Sequence, residues 1–186
     1  MNGTQPEALA PRRCPPPTLR PACPGDEAGL AAMLAGLSPQ SFYQRFLSGG
    51  GELSARLRAQ LVHATGERGA WLAVAGHVSG ETVVGHACWV FEPGTPADRP
   101  VAELAAVVAD GWQGRGLGGR LLAAVARDAT DAGAAAVQMY LLADNRRLLA
   151  RIGREWPDVR PQRDGTLVVY RVPAEAVVPW PSSDVA

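Results

Sequence analysis

The chain has 186 residues, enough for one domain with a substantial core and too few for two comfortable ones. Its 18 basic and 18 acidic residues cancel, so no broad basic face marks it for nucleic acid, and no uncharged apolar run reaches the roughly 18 residues of a membrane span. Cys14, Cys23 and Cys88, with His63, His77 and His86, show no metal-ligand spacing; no metal is expected, and free thiols without a signal segment point to the cytoplasm.

Residues 1–17 carry prolines at 6, 11, 15, 16 and 17 without a hydrophobic period and read as a disordered lead-in. Thr18–Cys23 suits a short strand. Pro24-Gly25-Asp26 offers a turn and an N-cap, and Glu27–Leu37 reads as a helix with Leu30, Met33, Leu34 and Leu37 on one face. Ser38 caps a second helix, with Pro39 at its first position and Phe42, Tyr43 and Phe46 at helical spacing. Gly49-Gly50-Gly51 breaks the chain before a third helix, Ser54–Ala64, built on Leu57, Leu61 and Val62. Trp71–Val78 and Thr82–Phe91 form a hairpin about Ser79-Gly80-Glu81, with His86 and Cys88 on one strand face and Ala87 and Trp89 on the other.

Pro93–Pro100 is a loop, and Val101–Ala109 is the next strand. Leu117–Ala132 is a helix with Leu117, Leu121, Val125 and Ala129 inward and Gly133 as its stop. Ala136–Leu142 resumes as a strand, so strand, helix and strand form a right-handed crossover between parallel neighbours. Asp144-Asn145 leads into a helix, Arg146–Arg154, and Val159–Gln162 with Thr166–Val172 suits a terminal hairpin about Arg163-Asp164-Gly165. Residues 173–186 form a tail in which Trp180 has no evident partner. The pattern predicts one α+β domain over residues 18–172, a mixed, mostly antiparallel sheet with helices on both faces.

The junction at residues 107–122 is the most informative stretch. An apolar strand enters a glycine-rich loop that opens directly onto an amphipathic helix. Helix starts carry unpaired N–H groups and a positive dipole end, so this arrangement suits a polyphosphate. Gly114, Gly116 and Gly119 match the G-x-G-x-x-G spacing of dinucleotide folds. There, however, the first glycine follows the strand at once and an acidic residue stands roughly 20 residues on. Here Asp110-Gly111-Trp112-Gln113 intervene, Asp131 lies in the crossover and Asp144 is too far along, which argues against that reading.

Gln113-Gly114-Arg115-Gly116-Leu117-Gly118 resembles the pyrophosphate loop, Q/R-x-x-G-x-G/A, of the GNAT superfamily of acyl-CoA-dependent N-acetyltransferases. The likeness extends from about Thr18 to Val172. Leu37-Ser38-Pro39 with Tyr43 and Arg45-Phe46, and Ala102-Glu103 in the strand, resemble segments of bacterial protein-lysine acetyltransferases. The resemblance implies acetyl-CoA as acyl donor and an amine, small molecule or protein lysine, as acceptor in a monomer or homodimer. It implies that backbone N–H groups among Gln113, Gly114, Gly116, Leu117, Gly118 and Gly119 hold the diphosphate, with Arg115 or Arg120 neutralising it. The strand edge at Ala106, Val107 and Val108 would pair with pantetheine, and the Val108 N–H could stabilise the thioester oxygen. Asn145 would contact the cofactor, cap the helix from Arg146, or do both.

Glu103 is the candidate general base. A carboxylate in an apolar strand is costly if buried alone, and a cleft at the strand's start would relieve that cost. A lysine-like amine has a pKa near 10.4, so its deprotonation at neutral pH withholds roughly 4 kcal/mol unless the site helps. The bland alternative is a surface glutamate paired with an arginine. Many members of the family carry a tyrosine seven residues after the motif asparagine as proton donor to the leaving thiolate; here that place is Ile152, with Tyr140 and Tyr170 available elsewhere. Cys88 lacks an activating histidine–acid pair, which disfavours a covalent route. A second reading is a non-catalytic acyl-CoA-binding sensor or interaction module.

Overall fold

The computed structural model describes residues 16–49, 53–77 and 80–177. The expected lead-in up to residue 15, glycines 50 and 51, the hairpin turn at 78–79 and the tail from 178, Trp180 included, lie outside the described residues. In chain order the elements are β1 (Thr18–Pro21), α1 (Glu27–Ala35), α2 (Pro39–Phe46), α3 (Ala55–Val62), β2 (Arg68–His77), β3 (Gly80–Phe91), β4 (Val101–Val108), α4 (Leu117–Asp131), β5 (Ala136–Leu142), α5 (Arg146–Glu155), β6 (Gln162–Asp164), β7 (Leu167–Pro173) and α6 (Ala174–Val177). The strands form one sheet in the order β1-β2-β3-β4-β5-β7-β6, antiparallel throughout except for the β4–β5 pair on either side of α4.

Strand parity sorts the core into two layers. Ala73, Ala75, Ala87, Trp89, Ala102 and Leu104 pack with Leu121, Val125, Ala129 of α4, Ile152 of α5 and Val177 of α6. Leu72, Val74 and Val107 face the other way, against Leu30, Met33 and Leu34 of α1 and Leu61 and Val62 of α3. Helices therefore cover both sheet faces. His86 and Cys88 share a face, as expected; the His86 imidazole is buried and lies 2.8 Å from the Leu61 carbonyl.

Several boundaries differ from expectation for local reasons. β1 stops at Pro21, and α1 ends at Ala35 with Gly36 as its cap, although Leu37 still packs on the core. The central hairpin is longer than expected: β2 begins at Arg68, and Gly80 and Glu81 pair with His77 and Gly76 instead of forming the turn. Tyr43 and Leu57 are exposed. The expected strand at Val159–Gln162 begins only at Gln162, because Pro161 has no N–H to give a ladder and Val159 turns back onto Trp156. Its hairpin closes at Gly165-Thr166, with Asp164 opposite Leu167. The boundary expected at 172 falls inside β7, and α6 follows, with Val177 buried and the Ala176 carbonyl accepting the Trp156 indole N–H at 3.0 Å. Four residues are too few to show a helical period.

Candidate active site

β4 and β5 pair only at Val101–Ala136, Ala102–Val137 and Glu103–Gln138. Beyond Glu103 they part, and Leu104–Val108 and Met139–Leu142 become opposite walls of a cavity of about 600 Å³. At its mouth lies the glycine loop. Gly114 and Gly116 adopt positive φ angles of 78° and 74°, a region that side chains resist, and these turns aim the chain into α4. Ser38, Ser54 and Asn145 cap α2, α3 and α5 with their side chains. α4 starts at Gly116 with no side-chain cap and no acidic residue in its first turn, so its positive end is left open to the cavity.

Of the candidate residues, Glu103, Ala106, Val107, Val108, Gln113, Gly114, Gly116, Leu117, Gly118, Gly119 and Asn145 line this cavity. Asn145 also caps α5, its side-chain oxygen accepting from the Leu148 N–H at 3.3 Å. Gln113 spends its amide on the Val108 carbonyl and the Ser41 hydroxyl, both at 3.0 Å. Arg115 and Arg120, expected to neutralise phosphate, do not line the cavity. The Arg115 guanidinium stacks over Trp112 at 4.9 Å and donates to the Gly111 carbonyl, while Arg120, on the exposed side of α4, donates to the Pro17 carbonyl. Cationic side chains arrive instead from α5: Arg147, Arg151 and Arg154, spaced i, i+4 and i+7 on one helix face. A Cβ at Gly119 would collide with the Arg151 guanidinium, so glycine there admits the arginine against the first turn of α4. Arg151 is also 3.5 Å from Glu155.

Glu103 sits half-buried where β4 and β5 part. Burial raises its pKa; the nearby Arg45 guanidinium opposes the rise, and Glu92 adds to it. Its carboxylate makes no hydrogen bond or ion pair among the described residues. Arg45, on α2, lines the same cavity and donates to the Cys88 sulfur at 3.2 Å. Burial pushes the Cys88 thiol up, away from the thiolate, and His86 is bonded elsewhere and held neutral, so no nucleophile–base pair forms.

Sequence reasoning missed a second polar group on the same sheet face. Glu92, one residue beyond β3, accepts from the Tyr140 hydroxyl at 2.6 Å and from the Gln138 amide at 2.8 Å, with Arg171 at 3.8 Å. The bond to the carboxylate holds the Tyr140 proton and raises its pKa. Tyr170 is buried in the core, and Ile152 is buried at the cavity wall. Among the described residues no cluster of three His, Cys, Asp or Glu could hold a metal, and no helix is long and apolar enough to cross a membrane.

A model of the acetyltransferase (GNAT) family matches residues 38–153. In structure the chain is similar to the GNAT domain of the S. lividans PAT, with a TM-score of 0.72 and 24% identity over 84% of this chain and 90% of that one. It is similar to a GNAT-family acetyltransferase from Streptococcus pneumoniae at TM-score 0.63 and 17% identity, over 83% and 98% of the two chains. Arabidopsis thaliana NAA60 in complex with acetyl-CoA gives a TM-score of 0.62 at 13% identity, over 83% and 97%. No curated protein sequence is significantly similar to the chain.

Proposed function

The chain belongs to the GNAT acetyltransferase family, and from that premise we propose that it moves an acetyl group from acetyl-CoA to a primary amine, a protein lysine or a small molecule, with Glu103 as general base. One observation carries the reading: the uncapped start of α4, the unpaired edge of β4 and the Glu103 carboxylate all face one cavity. The N–H groups at Leu117 and Gly118 suit the donor's diphosphate, with Arg147 and Arg151 close enough to share its charge. The free edge at Ala106, Val107 and Val108 suits the pantetheine amides, as an extended ligand adds to a strand.

The chemistry follows as direct transfer within a ternary complex. Glu103 takes a proton from the acceptor ammonium, directly or through water, and the freed nitrogen attacks the acetyl carbon. The N–C bond forms, the C–S bond breaks with its electron pair leaving on sulfur, and the proton that nitrogen sheds on becoming an amide passes to the thiolate or to water. A thiol of pKa near 8.5 leaves tolerably as thiolate, so the absence of tyrosine at 152 is not disabling.

The test is release of free CoA from acetyl-CoA across a panel of peptides, polyamines and amino acids, with Glu103→Gln as control. Turnover that this substitution abolishes supports the enzyme. Calorimetric binding of CoA with no acceptor in the panel favours a non-catalytic binding module. No heat with CoA at millimolar concentration overturns both readings.

A further inference from the structure

Asp110 opens the helical turn that follows β4, yet its carboxylate serves α2, 72 residues away in sequence. Its Oδ2 accepts from the Ser38 N–H at 2.8 Å, and its Oδ1 accepts from the Ser38 hydroxyl at 3.0 Å and the Ser41 hydroxyl at 2.6 Å. Gln113 completes the net by donating to the Ser41 oxygen and to the Val108 carbonyl. Three parts of the cavity thus meet at one acidic group: the end of β4, the glycine loop and the start of α2. The first turn of α2 has no acidic residue of its own, so Asp110 supplies the negative charge that a helix start favours. These hydrogen bonds hold the Asp110 carboxyl below its usual pKa range.

α2 in turn brings Ser41, Gln44 and Arg45 to the cavity wall, and Arg45 reaches Cys88 on the face that carries Glu103. We infer that Asp110 is a positioning residue that couples the glycine loop to α2, so that donor binding at the loop sets the acceptor wall. The inference rests on the acetyl-CoA reading above. A diphosphate bound at Gly116–Gly118 fixes the backbone that carries Asp110; the fixed carboxylate fixes Ser38 and Ser41; and α2 stops exchanging positions.

Hydrogen exchange on the whole chain, read by mass spectrometry with and without saturating CoA, tests the coupling in the absence of a known acceptor. In the wild type, CoA should slow exchange across residues 40–47 by about tenfold or more. In Asp110→Asn that ratio should fall to within about twofold, with the CoA dissociation constant from calorimetry changed less than threefold. A merely structural role would speed exchange equally with and without CoA and leave the ratio intact, which overturns the inference. Should Asp110→Asn fail to fold or to bind CoA, Ser41→Ala decides: a drop in the ratio of threefold or more supports the coupling, and an unchanged ratio overturns it. Absence of CoA binding by the wild type would defeat the acetyl-CoA reading and this inference with it, whereas bound CoA without α2 protection defeats the inference alone.

Discussion

The Arg45 guanidinium donates to the Cys88 sulfur at 3.2 Å, and this contact fixes a positive charge on the cavity wall close to Glu103. Its Nε is buried and has no hydrogen-bond partner among the described residues, and the guanidinium lies over the Phe46 ring, 4.8 Å from its centre. Cys88 stands opposite Ala105 and Val90 opposite Glu103, which makes Cys88 and Glu103 diagonal neighbours on one sheet face. Burial raises the Glu103 pKa and Arg45 lowers it, and burial wins.

The base must be ionised to work, so kcat/KM should rise with pH through the Glu103 pKa, above the ordinary glutamate range. Removing the cation leaves burial unopposed, and Arg45→Gln should move this acidic limb to higher pH, while Arg45→Lys keeps it near the wild-type position. Glu103→Gln should lower kcat/KM by about 10²–10⁴-fold and leave CoA binding unchanged. A pH–rate profile of CoA release checks all three; a limb that stays put in Arg45→Gln would show that another group titrates.

Tyr140 faces the cavity, but its proton is committed to Glu92 at 2.6 Å. A general acid contributes about 10²–10⁴-fold, and a hydroxyl held by a carboxylate is poorly placed to do so. Tyr140→Phe should therefore reduce kcat by less than about tenfold, and Ile152→Tyr should change turnover as little. Steady-state rates with saturating acetyl-CoA decide the matter; a loss or gain of about a hundredfold would identify a proton donor.

The cations of α5, not those of the loop, should govern donor affinity. Arg151→Gln or Arg147→Gln should weaken CoA binding by about tenfold, equivalent to roughly 1.4 kcal/mol, and flatten its salt dependence. Arg115→Gln and Arg120→Gln, whose guanidinium groups donate to the Gly111 and Pro17 carbonyls, should change it by less than about twofold. Calorimetry at two salt concentrations distinguishes the pairs.

His86 gives the fold a pH dependence of its own. Burial, with help from Arg45, lowers its pKa to about 3, and its Nε2–H is donated to the Leu61 carbonyl. The unfolded chain takes up a proton near pH 6.5 and the folded chain resists it, so stability is full above that point and falls as the pH drops toward 3. The loss should be about 1.6 kcal/mol between pH 6.5 and 5, where most carboxylates remain ionised. Urea melts across this range should show the slope in the wild type and a flatter line in His86→Phe.

What the sequence disclosed was local. Gln113–Gly118 and the helix after it declare themselves because glycine geometry and helix periodicity act within a few residues. Glu103 stood out as a carboxylate in an otherwise apolar strand. Partners set by tertiary register were hidden: Glu92 meets Tyr140 across β4, and Asp110 meets Ser38 across most of the domain. The motif fixes the Arg115 backbone but not its side chain, which stacks on a neighbouring indole. The α5 arginines carried no signal of their own, because only the β4–β5 gap sets that helix face beside α4.

The sheet itself is unfinished where it matters. Past Glu103 the rungs between β4 and β5 are missing, and the amides of Leu104–Val108 on that side are left for a guest. An extended molecule lying there would act as a temporary eighth strand, stitching a seam the polypeptide leaves open. Substitutions that drew β5 toward β4 would make a tidier, stiffer protein and erase the berth.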